Sequence, residues 1–376
     1  MGYICMVFVM LFRGCRYVDL AAVNFMNSNF MRMKFKHLLL CAICIAAGVT
    51  SAYPCSRVVL LGKNNLTVVG RTLDWKTPIP TNLYVYPRGM QKSGMPSGNT
   101  FHWESKYGSV LAVSYDGGVT EGMNEKGLVM NGLFCNGTIY RTSNDGKLPT
   151  ISLAVFVSYF LDNFATVEEV KQWVDNNQFA IYGQTFDGGT AAALHWAVTD
   201  ASGNTIVLEF QDGKLDTYMS RDYQVLTNNP PFNQQLALDN YWKNIGGTHM
   251  LPGTVTSPDR FIRASFFIDH VPVDVDYKQA AAEVISVLAN VSVPLGYGIE
   301  GEPNLSSTQW RSVADTQNLL YYFAFTSQFG TFWVDLSSID LAPGSPVWKL
   351  DTSKYTDLFM NVNDRLVKSE PFKPMW

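Results

Sequence analysis

The chain has 376 residues, of which 47% are apolar and 16% are charged. This composition indicates a globular protein with a large core, and excludes a disordered chain, a coiled coil and a disulfide-rich miniprotein. The 28 basic and 32 acidic residues give a net charge of −4, so the excess of basic residues that is typical of nucleic-acid-binding proteins is missing. We therefore expect no nucleic-acid partner.

The first 54 residues differ in character from the rest of the chain. Residues 31–37 are rich in basic side chains, residues 38–49 form an apolar run, and residues 50–52 are small. This order is typical of a secretory signal peptide, and the apolar run is too short to span a bilayer comfortably. We expect cleavage after Ala52 and a periplasmic or secreted protein with no stable membrane anchor. An N-terminal anchor that stays attached is the alternative.

The cysteines divide unequally between the two parts of the chain. Removal of residues 1–54 leaves only Cys55 and Cys135 of the six. In an exported protein these two could form a disulfide, or one could stay free because its thiol is needed. Residues 55–376 contain no linker, charge run or low-complexity segment, so we predict a single domain.

The elements predicted from Cys55 onwards are mostly strands. Residues 55–61 and 66–73 flank the turn sequence Gly62-Lys63-Asn64-Asn65, which predicts a hairpin that starts at Cys55. Further strands are predicted at residues 109–115, 127–134, 192–199, 205–210, 309–315, 319–326 and 331–336. Helices are predicted at residues 151–163, 167–176, 232–242, 259–268 and 277–291, the second of them opened by a capping box of Thr166 and Glu169. This order indicates an α+β fold in which helices cover antiparallel sheets.

Several common catalytic motifs are absent from residues 55–376. There is no G-x-S-x-G elbow, no Walker A loop, no G-x-G-x-x-G after a strand, no H-E-x-x-H and no C-x-x-C. His102, His195, His249 and His270 show no metal-ligand spacing, and His195 lies in an apolar strand, where we interpret it as a hydrogen-bonded core residue. We therefore expect neither a metal nor a cofactor.

Cys55 lies three residues after the expected cleavage point. A thiol at the first residue of a mature chain can use its own α-amino group as the general base, since the pKa of that amine is about 8. No histidine is then required. A second cut, which we expect to be self-catalysed, has to remove Tyr53 and Pro54. The alternative is that Cys55 is a small apolar strand residue.

The second strand of the hairpin carries two charged residues. In the sequence G-R-T-L-D-W, Arg71 and Asp74 are placed to face the start of the first strand. A cation beside a thiol favours the thiolate, and a carboxylate can orient an ammonium group or accept its proton. For Arg71 and for Arg260 the alternative is a surface ion pair.

Five motifs in register carry a family resemblance. They are the N-terminal cysteine, G-R-T-L-D-W at residues 70–75, M-N-E-K-G-L at 123–128, T-N-N-P at 227–230 and L-P-G-x-x-x-S-x-x-R-F at 251–261. In this order they resemble the choloylglycine hydrolase and penicillin V acylase family of N-terminal-nucleophile hydrolases. The resemblance implies a four-layer α-β-β-α sandwich that hydrolyses linear amide C–N bonds, and a tetrameric assembly.

The resemblance also implies roles for individual residues. Cys55 would be the nucleophile and its amine the base, Arg71 would lie beside the sulfur, and Asp74 would hold the amine. Asn228 would supply an amide to the oxyanion hole, with the adjacent Asn229 as the alternative, which is otherwise a turn residue before Pro230. Arg260 would support the charged site.

Phe134 departs from the family pattern. Bile-salt-hydrolysing members usually have asparagine here and penicillin acylases tyrosine, whereas a phenyl ring donates no hydrogen bond. The backbone N–H of Phe134 can still pair with Asn228 as a two-donor oxyanion hole. The aromatic residue, together with the secretory signal, is more similar to the exported Gram-negative branch, which is associated with penicillin V and N-acyl homoserine lactones.

The predicted function is therefore hydrolysis of an N-acylated small molecule through a thioester on Cys55. The substrate would be a penicillin V-like amide, an N-acyl homoserine lactone or a conjugated bile salt, with Trp75, Tyr84 and Phe134 lining an apolar pocket. Two alternatives stay open. The chain could be a catalytically silent exported binding protein on the same scaffold, or Cys55 and Cys135 could form a structural or redox disulfide.

Overall fold

The structure, a computed structural model, describes residues 55–186, 189–247, 249–298 and 306–376. Within these ranges two large β-sheets pack face to face and helices cover their outer faces. The predicted α+β fold, a four-layer α-β-β-α sandwich, is confirmed. The predicted signal region at residues 1–54 lies outside the described residues.

The first sheet contains the predicted N-terminal hairpin. In its described part the strands in spatial order are β16 (Val225–Leu226), β1 (Ser56–Leu61), β2 (Thr67–Trp75), β17 (Ser307–Asp315), β18 (Leu320–Phe325), β19 (Phe332–Asp335) and β21 (Met360–Asn361). Strands β1 and β2 pair antiparallel with Ser56 opposite Thr72. The aromatic-rich meander predicted for residues 309–336 is formed by β17, β18 and β19, and β17 pairs with β2.

The second sheet is antiparallel throughout its described part. Its strands in spatial order are β15 (Lys214–Ser220), β14 (Thr205–Gln211), β13 (Leu194–Thr199), β8 (Val129–Phe134), β7 (Gly118–Asn124), β6 (Ser109–Ser114), β3 (Thr81–Tyr86), β20 (Val347–Leu350) and β22 (Val367–Ser369). The four strands predicted between residues 109 and 210 all belong to this sheet.

Five helices, counted over the described residues, form the outer layers. They are α1 (Leu153–Asn163), α2 (Val167–Asn176), α3 (Phe232–Ile245), α4 (Ser257–Ile268) and α5 (Tyr277–Val291). Helices α1 and α2 cover the second sheet, and α4 and α5 cover the first. The Thr166 hydroxyl accepts the Glu169 N–H at the start of α2, as predicted, but the Glu169 carboxylate accepts the N–H of Ala165 instead of that of Thr166. No helix among the described residues combines the length and apolar character needed to cross a membrane.

Short elements complete the described chain. They are the strand pairs β4 (Gln91–Ser93) with β5 (His102–Glu104), β9 (Thr150–Ser152) with β10 (Ala180–Tyr182) and β11 (Thr185–Phe186) with β12 (Thr190–Ala191), and 3-10 helices at Leu336–Ser338, Thr352–Lys354 and Asn363–Arg365.

The core has its inner layer between the two sheets. Val69 and Leu73 of β2 pack there with Val110 and Ala112 of β6. Because side chains alternate between the faces of a strand, the next residues along each strand face the helices instead. This alternation sets which polar residues of β1, β2, β7 and β8 meet in the space between the sheets, and it positions the site described next.

Candidate active site

Cys55 lies immediately before β1, and its side chain is buried. The β1–β2 pairing brings this strand end beside residues 71–74 of β2. Cys55 Sγ is 3.8 Å from Arg71 Nη2 and 3.9 Å from the backbone carbonyl oxygen of Asp74. The structure thus brings together the three residues that the hairpin predicts to meet.

Asn228 and Arg260 hold the backbone of Cys55. The backbone N–H of Cys55 donates to Asn228 Oδ1, and Arg260 Nη2 donates to the same oxygen at 2.8 Å. Arg260 Nη1 donates to the Cys55 carbonyl oxygen and to Ser56 Oγ, both at 2.6 Å. Arg260 is only 1% exposed, so the alternative reading of this residue as half of a surface ion pair is wrong.

Arg71 is buried as completely as Arg260. Its charge is balanced by Glu121, a residue that the sequence analysis missed. Arg71 Nη1 lies 3.0 Å from Glu121 Oε2, and the guanidinium stacks over the Trp310 ring at 4.9 Å. Glu121 comes from β7, so the ion pair joins the two sheets. The sequence analysis predicted no strand at Gly118–Asn124, so it offered no signal for Glu121.

Asp74 is fully buried, and its carboxylate makes other contacts than the predicted one with the Cys55 nitrogen. Its Oδ2 accepts a hydrogen bond from Thr72 Oγ1 at 3.1 Å, whereas no described residue donates to Oδ1. Burial raises the pKa of Asp74 to about 6, against the opposing effects of Arg260 and of hydrogen bonds from Thr308 and Thr72. The described partner of the Cys55 nitrogen is Asn228, where the sequence analysis expected Asp74.

The two predicted oxyanion donors lie on the same side of β8. Asn228 Nδ2 uses one N–H to bond the carbonyl oxygen of Phe134 at 2.7 Å. The N–H of Cys135 donates to the Ala193 carbonyl oxygen, on the β13 side. Consecutive N–H groups of a strand point to opposite edges. The N–H and the carbonyl group of Phe134 therefore both point away from β13. Asn229 instead bonds the backbone of Asn136, which argues against the alternative assignment.

A cavity of about 120 Å³ opens beside Cys55. Trp75 and Phe134 line it as predicted, and their ring centroids are 5.6 Å apart. Phe186 also lines it, with its ring centroid 5.0 Å from that of Trp75. Other lining residues are Leu73, Ile79, Val119, Leu153 and Leu194. The lining is therefore mostly apolar, with Ser114, Thr120 and Gln184 as polar members besides the charged groups around the thiol.

The prediction that Tyr84 lines this cavity is wrong. Tyr84 belongs to the helix-facing core layer, whereas its β3 neighbours Leu83 and Val85 belong to the layer between the sheets. Its hydroxyl donates to Asp116 Oδ1 at 3.1 Å. The physical reason is strand alternation, which the sequence motifs did not fix for this strand.

Cys135, His195 and Glu209 form a separate buried cluster, the only grouping of three such metal-ligand side chains found among the described residues. His195 Nδ1 lies 2.9 Å from Glu209 Oε1 and Nε2 lies 2.8 Å from the Thr227 carbonyl oxygen. Both partners are acceptors, so both ring nitrogens carry protons. Burial alone lowers the pKa of His195, but Cys135 and Glu209 outweigh it and raise the pKa to about 10.

The cluster is thus a hydrogen-bonded ion pair of His195 and Glu209. A doubly protonated imidazole offers no lone pair to a metal ion. His195 is a hydrogen-bonded core residue, as the sequence analysis interprets it. Cys135 and Cys55 are both free thiols, so the alternative of a disulfide between them is wrong.

Comparison with known proteins agrees with the geometry. Residues 55–357 match the family model described as linear amide C–N hydrolases, choloylglycine hydrolase family. A penicillin V acylase of Pectobacterium atrosepticum is 37% identical over 349 residues, which cover 87% of this chain and 93% of that protein. A bile salt hydrolase/transferase of Clostridium perfringens is 27% identical over 297 residues, with 72% and 88% covered.

Solved structures of the same kind share the fold. The penicillin V acylase of Agrobacterium tumefaciens superposes with a TM-score of 0.79 at 43% identity, and the match covers 85% of this chain and 99% of that one. A conjugated bile acid hydrolase of Clostridium perfringens has a TM-score of 0.67 at 23% identity, covering 81% and 98%. The chain thus belongs to the choloylglycine hydrolase family and is an enzyme that hydrolyses linear amide C–N bonds other than peptide bonds.

Proposed function

We propose that this hydrolase cleaves an N-acylated small molecule and uses Cys55 as an N-terminal nucleophile. The observation that carries the proposal is the position of the Cys55 thiol, which lies between Arg71 and the Asp74 backbone at the charged end of an apolar cavity. Such a site offers a thiol to the carbonyl carbon and an apolar surface to the acyl group of the same substrate.

Exposure of the Cys55 amine requires removal of residues 1–54. We propose that export removes residues 1–52 and that a second cut between Pro54 and Cys55 frees the amine, leaving a periplasmic or secreted enzyme of residues 55–376. The family match that begins at residue 55 supports this boundary. The freed amine keeps Asn228 Oδ1 as a partner, and the unpartnered Oδ1 of the nearby Asp74 carboxylate is available to the ammonium form.

In the first step, the amine takes the proton of the Cys55 thiol and the sulfur attacks the amide carbonyl carbon. The C–S bond forms as the carbonyl oxygen becomes an oxyanion, which the second N–H of Asn228 Nδ2 and the N–H of Phe134 stabilise. Loss of one such donor typically costs about 2.7–4 kcal/mol of transition-state stabilisation. The C–N bond then breaks as the ammonium gives its proton to the leaving amine, and a thioester remains.

In the second step, water attacks the thioester while the same amine accepts a proton from it. The C–S bond breaks, the carboxylic acid leaves and the thiol of Cys55 is restored. The Arg71 guanidinium, whose Nη2 lies 3.8 Å from the sulfur, is placed to stabilise the negative charge that develops on the sulfur in both steps.

The substrate class follows from the lining and from the relatives. Trp75, Phe134 and Phe186 offer aromatic surfaces beside the thiol, which suits an apolar acyl group. Identity is higher to proteins named penicillin V acylase than to those named bile salt hydrolase, so we place penicillin V and N-acyl homoserine lactones before conjugated bile salts. We keep the homotetramer implied by the family as part of the proposal, with light scattering as its measurement.

The test combines processing with activity. Intact mass of the exported protein is expected to give a chain that starts at Cys55, and the enzyme is expected to release amine from penicillin V or from an N-acyl homoserine lactone. A mature chain that starts at Tyr53 and releases no amine contradicts the proposal and favours the silent binding protein.

A further inference from the structure

Residues 372–375 form a segment that brings Met375 to the cavity that holds Cys55. The backbone N–H of Phe372 donates to the Tyr86 hydroxyl at 2.9 Å, and the Phe372 ring packs 6.0 Å from the ring of Tyr84. Three residues later the N–H of Met375 donates to the Gly117 carbonyl oxygen at 2.9 Å. The segment is thus held at both ends. Tyr84 packs against its Phe372 ring and does not line the cavity.

The side chain of Met375 lies among residues that line this cavity. A Cβ atom added at Gly117 would be 2.5 Å from Met375 Cγ and 3.1 Å from its Sδ. One added at Gly118 would be 3.7 Å from Met375 Cε. Gly118 and Met375 line the cavity together with Cys55. The Gly117-Gly118 pair therefore provides the space that the thioether occupies.

We propose that Met375 is a specificity-determining residue that limits the size of the acyl group accepted beside Cys55. The inference rests on the proposed function and adds the residue that selects among acyl groups. A methionine fills an apolar gap with an unbranched, adaptable side chain. In a hydrophobic pocket a single methylene changes discrimination between substrates by about 10- to 200-fold, so a wall made by one long side chain is sufficient to set a preference.

Two substitutions are expected to shift the preference in opposite directions. Met375→Ala removes the thioether, enlarges the cavity and favours the longer acyl group. Gly117→Ala keeps the backbone bond to Met375, and because no positive φ is required at Gly117, the added methyl displaces the flexible side chain at 2.5 Å. The displaced side chain has the cavity on its other side, so the shorter acyl group is favoured.

The experiment measures kcat/KM of the processed enzyme for butyryl- and decanoyl-homoserine lactone, which share one amine. We expect the decanoyl-to-butyryl ratio to rise about tenfold or more in Met375→Ala and to fall about tenfold or more in Gly117→Ala. Met375→Leu, which has a similar volume, is expected to keep the parent ratio. Met250→Ala, at a methionine that is 54% exposed, is the matched control and is expected to keep it as well.

The outcomes separate this inference from the proposed function. Parent-like ratios in both Met375→Ala and Gly117→Ala, in an enzyme that hydrolyses the lactones, overturn the inference alone. A parent enzyme that hydrolyses no N-acyl substrate overturns the proposed function and this inference with it. If Met375→Ala fails to fold, the ratio of Gly117→Ala decides between support and rejection.

Discussion

The charged groups around Cys55 and those around His195 are both buried, but their hydrogen bonds are satisfied to different degrees. In the His195 cluster both ring nitrogens have acceptors, and both oxygens of Glu209 have donors, which include the N–H of Phe232 at the start of α3. Around Cys55, Asp74 Oδ1 and Arg71 Nε have no hydrogen-bond partner among the described residues. The two regions thus bury charge in different ways.

This difference fits the proposed function, in which the His195 cluster supports the fold and the Cys55 cluster carries the chemistry. A buried polar atom without a partner costs about 1–3 kcal/mol, so the unpartnered atoms around Cys55 carry a cost that the His195 cluster avoids. The His195 cluster leaves its own groups little freedom and holds Thr227, the residue before Asn228. The Cys55 cluster keeps hydrogen-bonding capacity that no described residue uses, and the proposed mechanism assigns it to the amine and to the reaction. The following predictions test this contrast, starting from the largest expected effect.

Replacement of the nucleophile has the largest effect. Cys55→Ala is expected to lower kcat/KM for the acylated amine by about 10⁴-fold or more, since loss of a nucleophile in comparable hydrolases has effects of that size. The measurement is amine release by the purified protein. Cys135→Ala, the other described thiol, is the matched control and should retain activity. Comparable activity in Cys55→Ala and Cys135→Ala would show that the nucleophile is another group.

Removal of the predicted oxyanion amide has the second largest effect. Asn228→Ala is expected to lower kcat by about 10²- to 10³-fold with a smaller change in KM, because the lost N–H acts mainly on the charge that develops in the transition state. Steady-state kinetics measure the split. The neighbouring Asn229→Ala, which loses only its bonds to Asn136, serves as the control. A larger kcat loss in Asn229→Ala than in Asn228→Ala would reverse the assignment.

Paired amide substitutions test the contrast between the clusters directly. Glu209→Gln leaves the imidazolium of His195 buried without its counter-ion, so we expect the free energy of unfolding to fall by about 3–5 kcal/mol. Asp74→Asn removes an incompletely bonded carboxylate, so we expect stability to be maintained while activity is lost. Urea unfolding and amine release measure the two effects. Equal destabilisation by both substitutions would remove the distinction that we draw between the clusters.

The pH dependence of activity gives a smaller effect with a defined sign. Burial raises the pKa of Asp74 to about 6, so below that pH the carboxyl group becomes neutral and no longer stabilises the ammonium. We expect kcat/KM to decrease as pH falls through about 6. An acid limb that persists at the same pH in a residually active Asp74→Asn enzyme would assign it to another group.

The pH dependence of stability gives the smallest effect. His195 has a folded-state pKa raised to about 10 from an unfolded value near ~6.5. Its contribution to stability is therefore complete below about pH 6.5 and is lost as pH rises to about 10. Urea midpoints across this range are expected to decline, and a flat profile, or the same decline in Glu209→Gln, would contradict a charged His195 paired with Glu209.

Local signals predicted much of the fold. The hairpin at Cys55, the antiparallel strands and the five helices follow from apolar periodicity, turn residues and caps, which act over a few residues. Helix α5 was predicted at 277–291 and is found at Tyr277–Val291. Strands β3, β7 and β15, of six or seven residues each, were not predicted. Two-residue strands such as β16 and β21 were missed as well, because they carry no periodicity and depend on the neighbour with which they pair.

The candidate site divides in the same way. Cys55, Arg71 and Asp74 lie on one hairpin, so local pairing predicts their proximity. Asn228 and Arg260 were instead predicted from the motifs that carry the family resemblance. Glu121 was missed and Tyr84 was misplaced because both depend on which face of a distant strand turns toward the inner layer. No spacing in the sequence encodes that orientation.

By itself, the sequence determined the composition class, much of the secondary structure and the family, and it singled out Cys55 as the proposed nucleophile, since each depends on residue type or on short-range order. Only the tertiary structure decided that Glu121 balances Arg71, that His195 pairs with Glu209, that Asn228 rather than Asp74 contacts the Cys55 nitrogen, and that Met375 lines the cavity. These facts depend on contacts between residues far apart in the chain, which arise only when two sheets and their covering segments pack together.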